Sequence, residues 1–286
     1  MSQATATTPQ TEPEHTIAFM GVAGANADLA CRQAHPYMHT LACASFEDVF
    51  EAVEQGRAKL GMIPIENSQA GRVAEIHNIL PRTSLHIVGE YFQHVEHCLL
   101  APKGATLETV KEVYSHPQAL MQCREHIRAA KLTAHPYSNT ATAAQDVAQW
   151  ADVSKAAIAS PLAAQLYGLQ TLKTPFNDAA DNTSVFVTLA REAADPNPKD
   201  GKVLASLLVT VRNIPAALYK ALGGFATNGV NLIKLESYMT GDRAQFFITF
   251  EGHPKSASVK LALEELGFFC SEVRMLGVYH AAPERG

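Results

Sequence analysis

Short apolar runs alternate with segments of helical spacing from Thr16 onward, and this alternation restricts the chain to a few architectures. The run TIAFM leads through a turn into a helical pattern. The segment SFEDVFEAVEQG has Ser45 as a helix N-cap and Asp48 at the capping-box position. An apolar run from Leu60 to Ile65 comes next, followed by a helical segment that ends at Pro81. Such alternation predicts an α/β fold with a parallel or mixed sheet.

The alternation returns in a second block and then gives way to a smaller module. Helical segments follow Ser115, Ser138 and Ser160, whose hydroxyls suit the start of a helix. The charged, proline-rich segment REAADPNPKDGK lacks periodicity and is typical of a linker. Beyond it, strand and helix patterns follow the order βαββαβ, which predicts a ferredoxin-like module. A chain of 286 residues is long enough for two α/β lobes and this module.

Composition argues against several classes of protein. The net charge is −5 and Lys and Arg form no cluster, which disfavours a nucleic-acid binder. No apolar run approaches the roughly 20 residues of a membrane helix. The first 14 residues lack the basic start and apolar segment of a secretory signal, so a disordered tail is expected. Five scattered cysteines, none spaced as CxxC, favour reduced thiols in a cytoplasm.

One apolar run ends in three polar residues of different chemistry. In IPIENSQAGRV, a carboxylate, an amide and a hydroxyl follow one another at Glu66, Asn67 and Ser68. These types suit the mouth of a cleft where a strand leads into a helix. Ligands of open α/β sheets bind beyond the carboxyl ends of strands, and helix starts favour anions. The sequence therefore predicts a site between two lobes for a small acidic molecule, held by backbone donors more than by Lys or Arg.

Simpler roles compete with functional ones for several residues. Taken alone, residues 66–68 would be helix caps and His116 a turn residue. Cys123 lies on the apolar face of its helical segment, which predicts a core thiol rather than a nucleophile. The string HVEHC offers possible metal ligands, but alternation along a strand would place His94 and His97 on opposite faces. A metal site is therefore not expected there.

Long strings of the sequence resemble the bacterial prephenate dehydratase family. IPIENSQAGRV is similar to the family signature IPIENSxxGxV, SHPQALMQC to SHPQALxQC, and NTATAA to STAxAA. The stretch NIPAALYKALGGFATNGVNLIKLESYM is similar to the C-terminal ACT regulatory domain of the family. The resemblance covers the chain from about Thr16 to Tyr279, and its first two strings are long and in the family's order.

The resemblance implies a fold class and domain boundaries. The fold would be α/β, with a two-lobed catalytic domain like a periplasmic binding protein and a C-terminal ferredoxin-like (βαββαβ) ACT domain. The expected boundaries are a disordered tail over 1–14, a prephenate dehydratase domain over 15–191, a linker over 192–202 and an ACT regulatory domain over 203–280. Lobe 1 would span about 15–93 and 175–191, and lobe 2 about 94–174.

It also implies a reaction and its control. Prephenate would lose its ring hydroxyl as water and its ring carboxylate as carbon dioxide, giving phenylpyruvate for phenylalanine biosynthesis. No metal or organic cofactor is implied. A cytoplasmic homodimer or homotetramer is expected, with no nucleic-acid or membrane partner. Phenylalanine would bind at paired ACT domains as a feedback inhibitor.

The motifs carry expected roles onto individual residues of this chain. The catalytic residues would be Ser184, Glu66, Asn67 and Ser68. Those expected to bind substrate are Gly24, Ala25, Asn26, His116, Gln118, Asn139, Thr140, Ala141, Thr183 and Phe186. Those expected to bind phenylalanine are Asn213, Ala216, Ala217, Leu218, Asn231, Glu236 and Ser237.

Three departures from the family pattern leave alternatives open. The family's TRF motif reads Ser184-Val185-Phe186, so a hydroxyl is kept while an arginine becomes Val185, with no nearby residue to restore the charge. Thr183 would take the place of Ser184 if the strand slipped by one residue. The loop GPxGTxS reads GVAGANA, and ESRP reads ESYM. Loss of an arginine would suit arogenate, whose side chain carries an ammonium group. Loss of the arginine and of two loop hydroxyls would suit a non-catalytic sensor of aromatic-pathway acids, whereas the retained ENS and HPQ strings and Ser184 favour the prephenate enzyme.

Overall fold

The computed structural model describes residues 12–240 and 243–285, so residues 1–11 of the expected tail lie outside the described residues. The strands are β1 (Thr16–Met20), β2 (His39–Cys43), β3 (Leu60–Asn67), β4 (Gly71–Arg72), β5 (His86–His94), β6 (Cys98–Ala101), β7 (Glu112–Ser115), β8 (Thr133–Pro136), β9 (Lys155–Ala159), β10 (Gln170–Lys173), β11 (Thr183–Ala190), β12 (Val203–Val211), β13 (Leu232–Thr240), β14 (Arg243–Glu251) and β15 (Cys270–His280). The helices are α1 (Asn26–Ala34), α2 (Phe46–Glu54), α3 (Ile76–Ile79), α4 (Pro117–Gln122), α5 (Arg124–Ala129), α6 (Thr140–Trp150), α7 (Pro161–Tyr167), α8 (Ala217–Thr227) and α9 (Ala257–Phe269). Short 3-10 turns cover Pro13–His15 and Pro283–Arg285.

Two mixed sheets precede the C-terminal module. The first has the strand order β2-β1-β3-β11-β5, with β4 paired to β3, and the second has the order β10-β6-β9-β7-β8. In the first, β1 pairs in parallel with β2 and β3. In the second, β7 pairs in parallel with β8 and β9, while β6 pairs antiparallel with β9 and β10. The predicted α/β class is confirmed.

Local capping chemistry explains where the helices begin. The Ser45 hydroxyl accepts from the Asp48 amide at 3.1 Å, and the Asp48 carboxylate accepts from the Ser45 amide at 3.1 Å, which is the predicted capping box. The Ser160 hydroxyl caps α7 at the Ala163 amide, as its position predicts. In the other two junctions the caps are His116 and Asn139. The sequence placed these starts within a residue or two.

The helix predicted after Pro117 is broken into α4 and α5 at Cys123. The Gln122 carbonyl accepts from the amide of Asp178 at 2.9 Å. The Asp178 carboxylate in turn accepts from the amides of Glu125 and His126, at 2.8 and 3.1 Å. This distant carboxylate therefore supplies the cap of a new helix, which is a tertiary contact that local spacing does not encode.

The C-terminal module has the predicted βαββαβ order. Its sheet runs β13-β14-β12-β15 with antiparallel pairs throughout, which is the ferredoxin-like arrangement. One face of the sheet packs against α8 and α9, around buried Phe225 and Phe250, whose ring centroids lie 5.2 Å apart. Helix α9 is the longest described helix at 13 residues, and none of the described helices is long and apolar enough to cross a membrane.

Contact density divides the chain into two compact units. The first comprises Met1–Val73 and Phe92–Phe186, and the second comprises Ala74–Tyr91 and Val187–Gly286. Residues 74–91, which were assigned to lobe 1 from the sequence, thus group with the C-terminal residues. The domain boundaries drawn from the sequence remain a prediction.

Candidate active site

A cavity of about 550 Å³ lies in the first compact unit. Its wall combines residues from β3, the β3–β4 turn, the starts of α1, α4 and α6, and the beginning of β11. Ten of the expected catalytic and substrate-binding residues line it: Ala25, Asn26, Glu66, Asn67, His116, Gln118, Asn139, Thr140, Ser184 and Phe186. The remaining four, Gly24, Ser68, Ala141 and Thr183, are not among its lining residues.

Glu66 and Asn67 do not lead into a helix, contrary to the expectation from sequence. Strand β3 continues through Asn67, and the chain turns back as β4, which pairs Glu66 with Arg72 and Asn67 with Gly71. Gly71 makes the turn at a φ of +78°, a conformation that favours glycine. The ENS motif is therefore the tip of a hairpin, and no helix N-terminus stands behind it.

Asn67 links the hairpin to β11. Its side-chain oxygen accepts from the amides of Gln69 and Ala70, at 3.1 and 2.9 Å. Its side-chain nitrogen donates to Asn182 Oδ1 at 2.8 Å and to Ser184 Oγ at 3.0 Å. Because the Ser184 oxygen already accepts a hydrogen bond, its own hydrogen can be directed at a ligand in the cavity.

Strand alternation decides which residues of TSVF face the cavity. Ser184 and Phe186 line it, whereas Val185 is absent from its wall and only 5% exposed. Alternate side chains of a strand point to opposite faces, so the position of the family arginine faces away from the cavity here. The absence of that arginine therefore removes no side chain from the cavity wall.

Ser68 and Thr183 hold the hairpin tip against β11. The Ser68 hydroxyl donates to the Asp181 carbonyl at 2.8 Å and accepts from the Thr183 amide at 3.0 Å. The Thr183 carbonyl accepts from the Ser68 amide at 2.8 Å. These bonds explain why both residues lie outside the cavity wall, and they place Ser184, not Thr183, at the cavity.

Two helix N-termini lie at the cavity wall. At α6, the Asn139 side chain accepts a hydrogen bond from the Ala141 amide at 2.8 Å. Ala141 therefore belongs to the capped first turn of the helix, and it does not line the cavity. At α1, the N-cap is Ala25 and no side chain caps the helix. Both helices have nine residues or more, so their N-terminal dipoles favour an anionic group. Gly24 lies behind this wall, where a Cβ would come within 3.1 Å of the Ala163 backbone.

Arg72 is a cavity residue that the sequence reasoning missed. It is the one Lys or Arg among the described residues that line the cavity, and it lies opposite Glu66 in the β3–β4 pair. The charge that seemed lost with the family arginine is thus present from another strand. The turn at Gln69 and Ala70 could have predicted this position, because it reverses the chain direction and places residue 72 beside residue 66.

His97 and Gln122 are further cavity residues that were not predicted. His97 is 2% exposed, and its Nε2 lies 2.8 Å from Gln122 Oε1. Burial lowers the pKa of His97, and the bond to Gln122 opposes this shift in part. His94 is exposed, and across residues 12–240 and 243–285 no three potential ligands cluster as a metal site.

Cys123 is a core thiol, as its helical position predicts. It is fully buried in the cluster that includes Ala119 and Ile127. Burial raises the pKa of the thiol to about 12. A thiol of that kind is not ionised near neutral pH, so it is a poor nucleophile.

A second cavity, of about 810 Å³, lies in the C-terminal module. Four expected phenylalanine-binding residues line it: Asn213, Ala216, Ala217 and Leu218. Asn231, Glu236 and Ser237 are not among its lining residues. Glu236 instead pairs with Lys234 at 2.8 Å and with buried His77 at 2.9 Å. Arg212 and Arg243 also line this cavity and were not predicted.

Comparison with known proteins gives a consistent result. Residues 17–194 match the family model described as prephenate dehydratase. A Komagataeibacter europaeus protein named bifunctional N-acyl-homoserine lactone acylase/prephenate dehydratase is 46% identical over 275 residues, covering 95% of this chain and 98% of that one. Arogenate dehydratase 2 of Petunia hybrida is 35% identical over 280 residues, covering 92% of this chain and 71% of that one. The crystal structure of prephenate dehydratase from Arthrobacter aurescens in complex with L-Phe matches at a TM-score of 0.86 and 29% identity. The match covers 95% of this chain and 91% of that one.

Proposed function

Because the chain belongs to the prephenate dehydratase family, we propose that it converts prephenate to phenylpyruvate, carbon dioxide and water. Family membership makes the chain an enzyme, a dehydratase of the lyase class, so the non-catalytic sensor is set aside. The observation that best supports the proposed reaction is the hydrogen-bonded pair of Asn67 and Ser184 in the cavity wall.

The reaction asks little covalent chemistry of the protein. The bond from the ring to its carboxylate breaks, and its electron pair enters the ring as carbon dioxide leaves. The bond from the ring to the hydroxyl oxygen breaks with its electrons on oxygen, and the departing hydroxide takes up one proton from solvent. Aromatisation drives the step, so the enzyme must orient the substrate and stabilise the charge that develops on the leaving oxygen.

Ser184 is placed to stabilise that oxygen. Its Oγ receives the amide hydrogen of Asn67 at 3.0 Å, and this orients the Ser184 hydrogen toward other acceptors. A bond donated to the departing oxygen strengthens as negative charge develops there, so it acts mainly in the transition state. Asn67 polarises the same hydroxyl and is itself held by two backbone amides.

The two carboxylates of prephenate require positive partners. Arg72 supplies a guanidinium at the cavity wall, with an exposed side chain on a two-residue strand. The uncapped start of α1 supplies backbone N–H groups beside Ala25 and Asn26. An arginine and a helix N-terminus are both common partners of carboxylates. We assign one substrate carboxylate to each.

A turnover assay with two acids tests this function. Purified protein without added metal or nucleotide is incubated with prephenate, and the absorbance of phenylpyruvate is followed. The same protein is incubated with arogenate, and released phenylalanine is measured, because a 35% identical relative carries the name arogenate dehydratase. We expect a higher kcat/KM for prephenate. A higher value for arogenate would reassign the substrate, and no turnover of either acid above its spontaneous rate would refute the function.

An acylase activity is a second candidate, suggested by the name of the 46% identical relative. Hydrolysis of an N-acyl-homoserine lactone would need a donor for the amide carbonyl, and Ser184 and Arg72 both line the cavity. Incubation with such a lactone and detection of free homoserine lactone would test it. Release that persists in Ser184→Ala and Arg72→Ala variants would place any such activity outside this cavity.

We assign phenylalanine control to the C-terminal module. The supporting observations are the ACT-like βαββαβ fold, the cavity beside Asn213 and Leu218, and the L-Phe complex of the Arthrobacter relative. Arg212 and Arg243 give the cavity positive charge for the ligand's carboxylate. The partner would be a second copy of the chain, forming a homodimer or homotetramer in the cytoplasm.

A further inference from the structure

A row of side-chain amides runs from the hairpin tip to a buried histidine, and its starting point fixes the orientation of every member. Asn67 presents one side-chain atom to the amides of Gln69 and Ala70. Backbone amides only donate, so that atom must be the Asn67 oxygen. The Asn67 nitrogen therefore faces Asn182 at 2.8 Å and Ser184 at 3.0 Å.

The same reasoning passes along the row to its far end. Asn182 must accept from Asn67 through its oxygen, so its nitrogen faces Gln122 at 3.0 Å. Gln122 must accept that bond through its oxygen. The same oxygen lies 2.8 Å from His97 Nε2, so His97 must carry a hydrogen on Nε2. In the neutral ring, Nδ1 then holds a lone pair and can only accept.

The surroundings of His97 hold the ring in this state. Burial lowers its pKa, which favours the neutral ring at pH 7. Its backbone is clamped on both sides: the amide donates to Asn177 Oδ1 at 2.6 Å, and the carbonyl accepts from the Phe176 amide at 2.7 Å. Nδ1 is buried and has no hydrogen-bond partner within residues 12–240 and 243–285. A buried acceptor without a donor is costly, so this atom calls for a ligand that brings one.

We propose that His97 Nδ1 accepts a hydrogen bond from the ring hydroxyl of the substrate and thereby makes His97 a specificity-determining residue of this cavity. The proposal rests on the proposed function. Prephenate carries two carboxylates and a ketone, which only accept, and a single donor, the ring hydroxyl. A lone pair on Nδ1 repels the carboxylate and ketone oxygens and accepts a hydrogen bond from the ring hydroxyl. Phenylpyruvate has lost the hydroxyl, so His97 binds substrate in preference to product.

This contact orients the hydroxyl before it departs. Its hydrogen points at His97 Nδ1, which leaves the lone pairs on its oxygen for the Ser184 hydroxyl. Ser184 and His97 belong to the two ends of one hydrogen-bonded row. His97 moves no proton in this scheme.

Two substitutions separate the ligand contact from a structural role. His97→Gln keeps an N–H for Gln122 and lacks the Nδ1 acceptor, whereas His97→Asn places an amide oxygen near the former Nδ1 and gives up the bond to Gln122. Both are made in Ser184→Ala protein, in which we expect slow turnover, and the Kd values of prephenate and phenylpyruvate are measured by calorimetry. We expect His97→Gln to weaken prephenate binding about tenfold and to leave phenylpyruvate binding unchanged. His97→Asn should weaken prephenate binding less.

The opposite order, with His97→Asn the weaker binder of prephenate, would show that His97 serves only to hold Gln122. Equal losses for both ligands would show a change of cavity shape, and either result overturns the proposal. Nitrogen resonances of His97 in the Ser184→Ala protein provide a check that leaves His97 intact. We expect an unprotonated Nδ1 that shifts with prephenate and not with phenylpyruvate, and a protonated Nδ1 would refute the assignment. Failure of wild-type turnover in the assay above refutes the proposed function separately.

Discussion

At the residue scale, the contact between Asn67 and Ser184 leads to a prediction about rate. Ser184→Ala should lower kcat by about 10²–10³, the usual loss when one preorganised hydrogen-bond donor to a developing oxyanion is removed, with a smaller change in KM. The reason is that a bond to the leaving oxygen strengthens only as charge develops there. Steady-state kinetics with prephenate measures both constants. Thr183→Ala is the matched control, because Thr183 adjoins Ser184 and lies outside the cavity wall. A kcat that drops equally in both variants would contradict the assignment.

Burial of His97 leads to a prediction about pH. Its folded pKa is lowered by burial, so the unfolded chain takes up a proton that the folded protein resists. The free energy of unfolding should therefore be unaffected by His97 above about pH 6.5 and decline below it. Denaturant titrations at several pH values between 7.5 and 5 measure this slope. His97→Gln should show a shallower decline than wild type, and a parallel decline would assign the acid sensitivity to other groups.

At the scale of the element, the alternation of β11 decides the outcome of restoring the family arginine. Val185 is 5% exposed, between two residues that face the cavity. Val185→Arg should lower the free energy of unfolding by several kcal/mol, because it buries a charge without a designed partner. The KM of the remaining folded enzyme should stay near that of wild type. Chemical denaturation and steady-state kinetics test both statements, with Val185→Ile as the control for side-chain size. A lower KM without loss of stability would show that residue 185 reaches the substrate.

At the scale of the whole molecule, feedback by phenylalanine requires that the effector distinguish two states of the enzyme. Phenylalanine should lower activity, and by linkage it should bind less tightly when the active site holds substrate. Calorimetry with phenylalanine, with and without a saturating ligand of the Ser184→Ala protein, measures the coupling. Arg243→Ala should weaken binding, because Arg243 lines the C-terminal cavity. Glu236→Ala, at a residue outside that cavity, should act mainly on stability through loss of its ion pair with Lys234 and its contact with buried His77. Absence of heat in every variant would leave the module as a scaffold.

Most of the elements and the family could be predicted from the sequence, because both are carried by local strings. The capping box at Ser45, the βαββαβ order and the signature around Glu66 each lie within a short stretch of chain. Even there, a local pattern was insufficient where a distant group intervened. The carboxylate of Asp178 splits one predicted helix in two, and it lies more than 50 residues from the amides that it caps.

The tertiary structure alone decided which side chains meet in the cavity. Asn67 and Ser184 are 117 residues apart in the chain, yet a 3.0 Å hydrogen bond joins them. Val185 faces away because alternate side chains of β11 point to opposite faces of the sheet, and Arg72 lines the cavity because β4 folds back on β3. The tautomer of His97 depends on a row of amides drawn from three separate segments. Residue types and local propensity are properties of the sequence, whereas face, partner and protonation depend on which distant groups the fold brings within hydrogen-bonding distance.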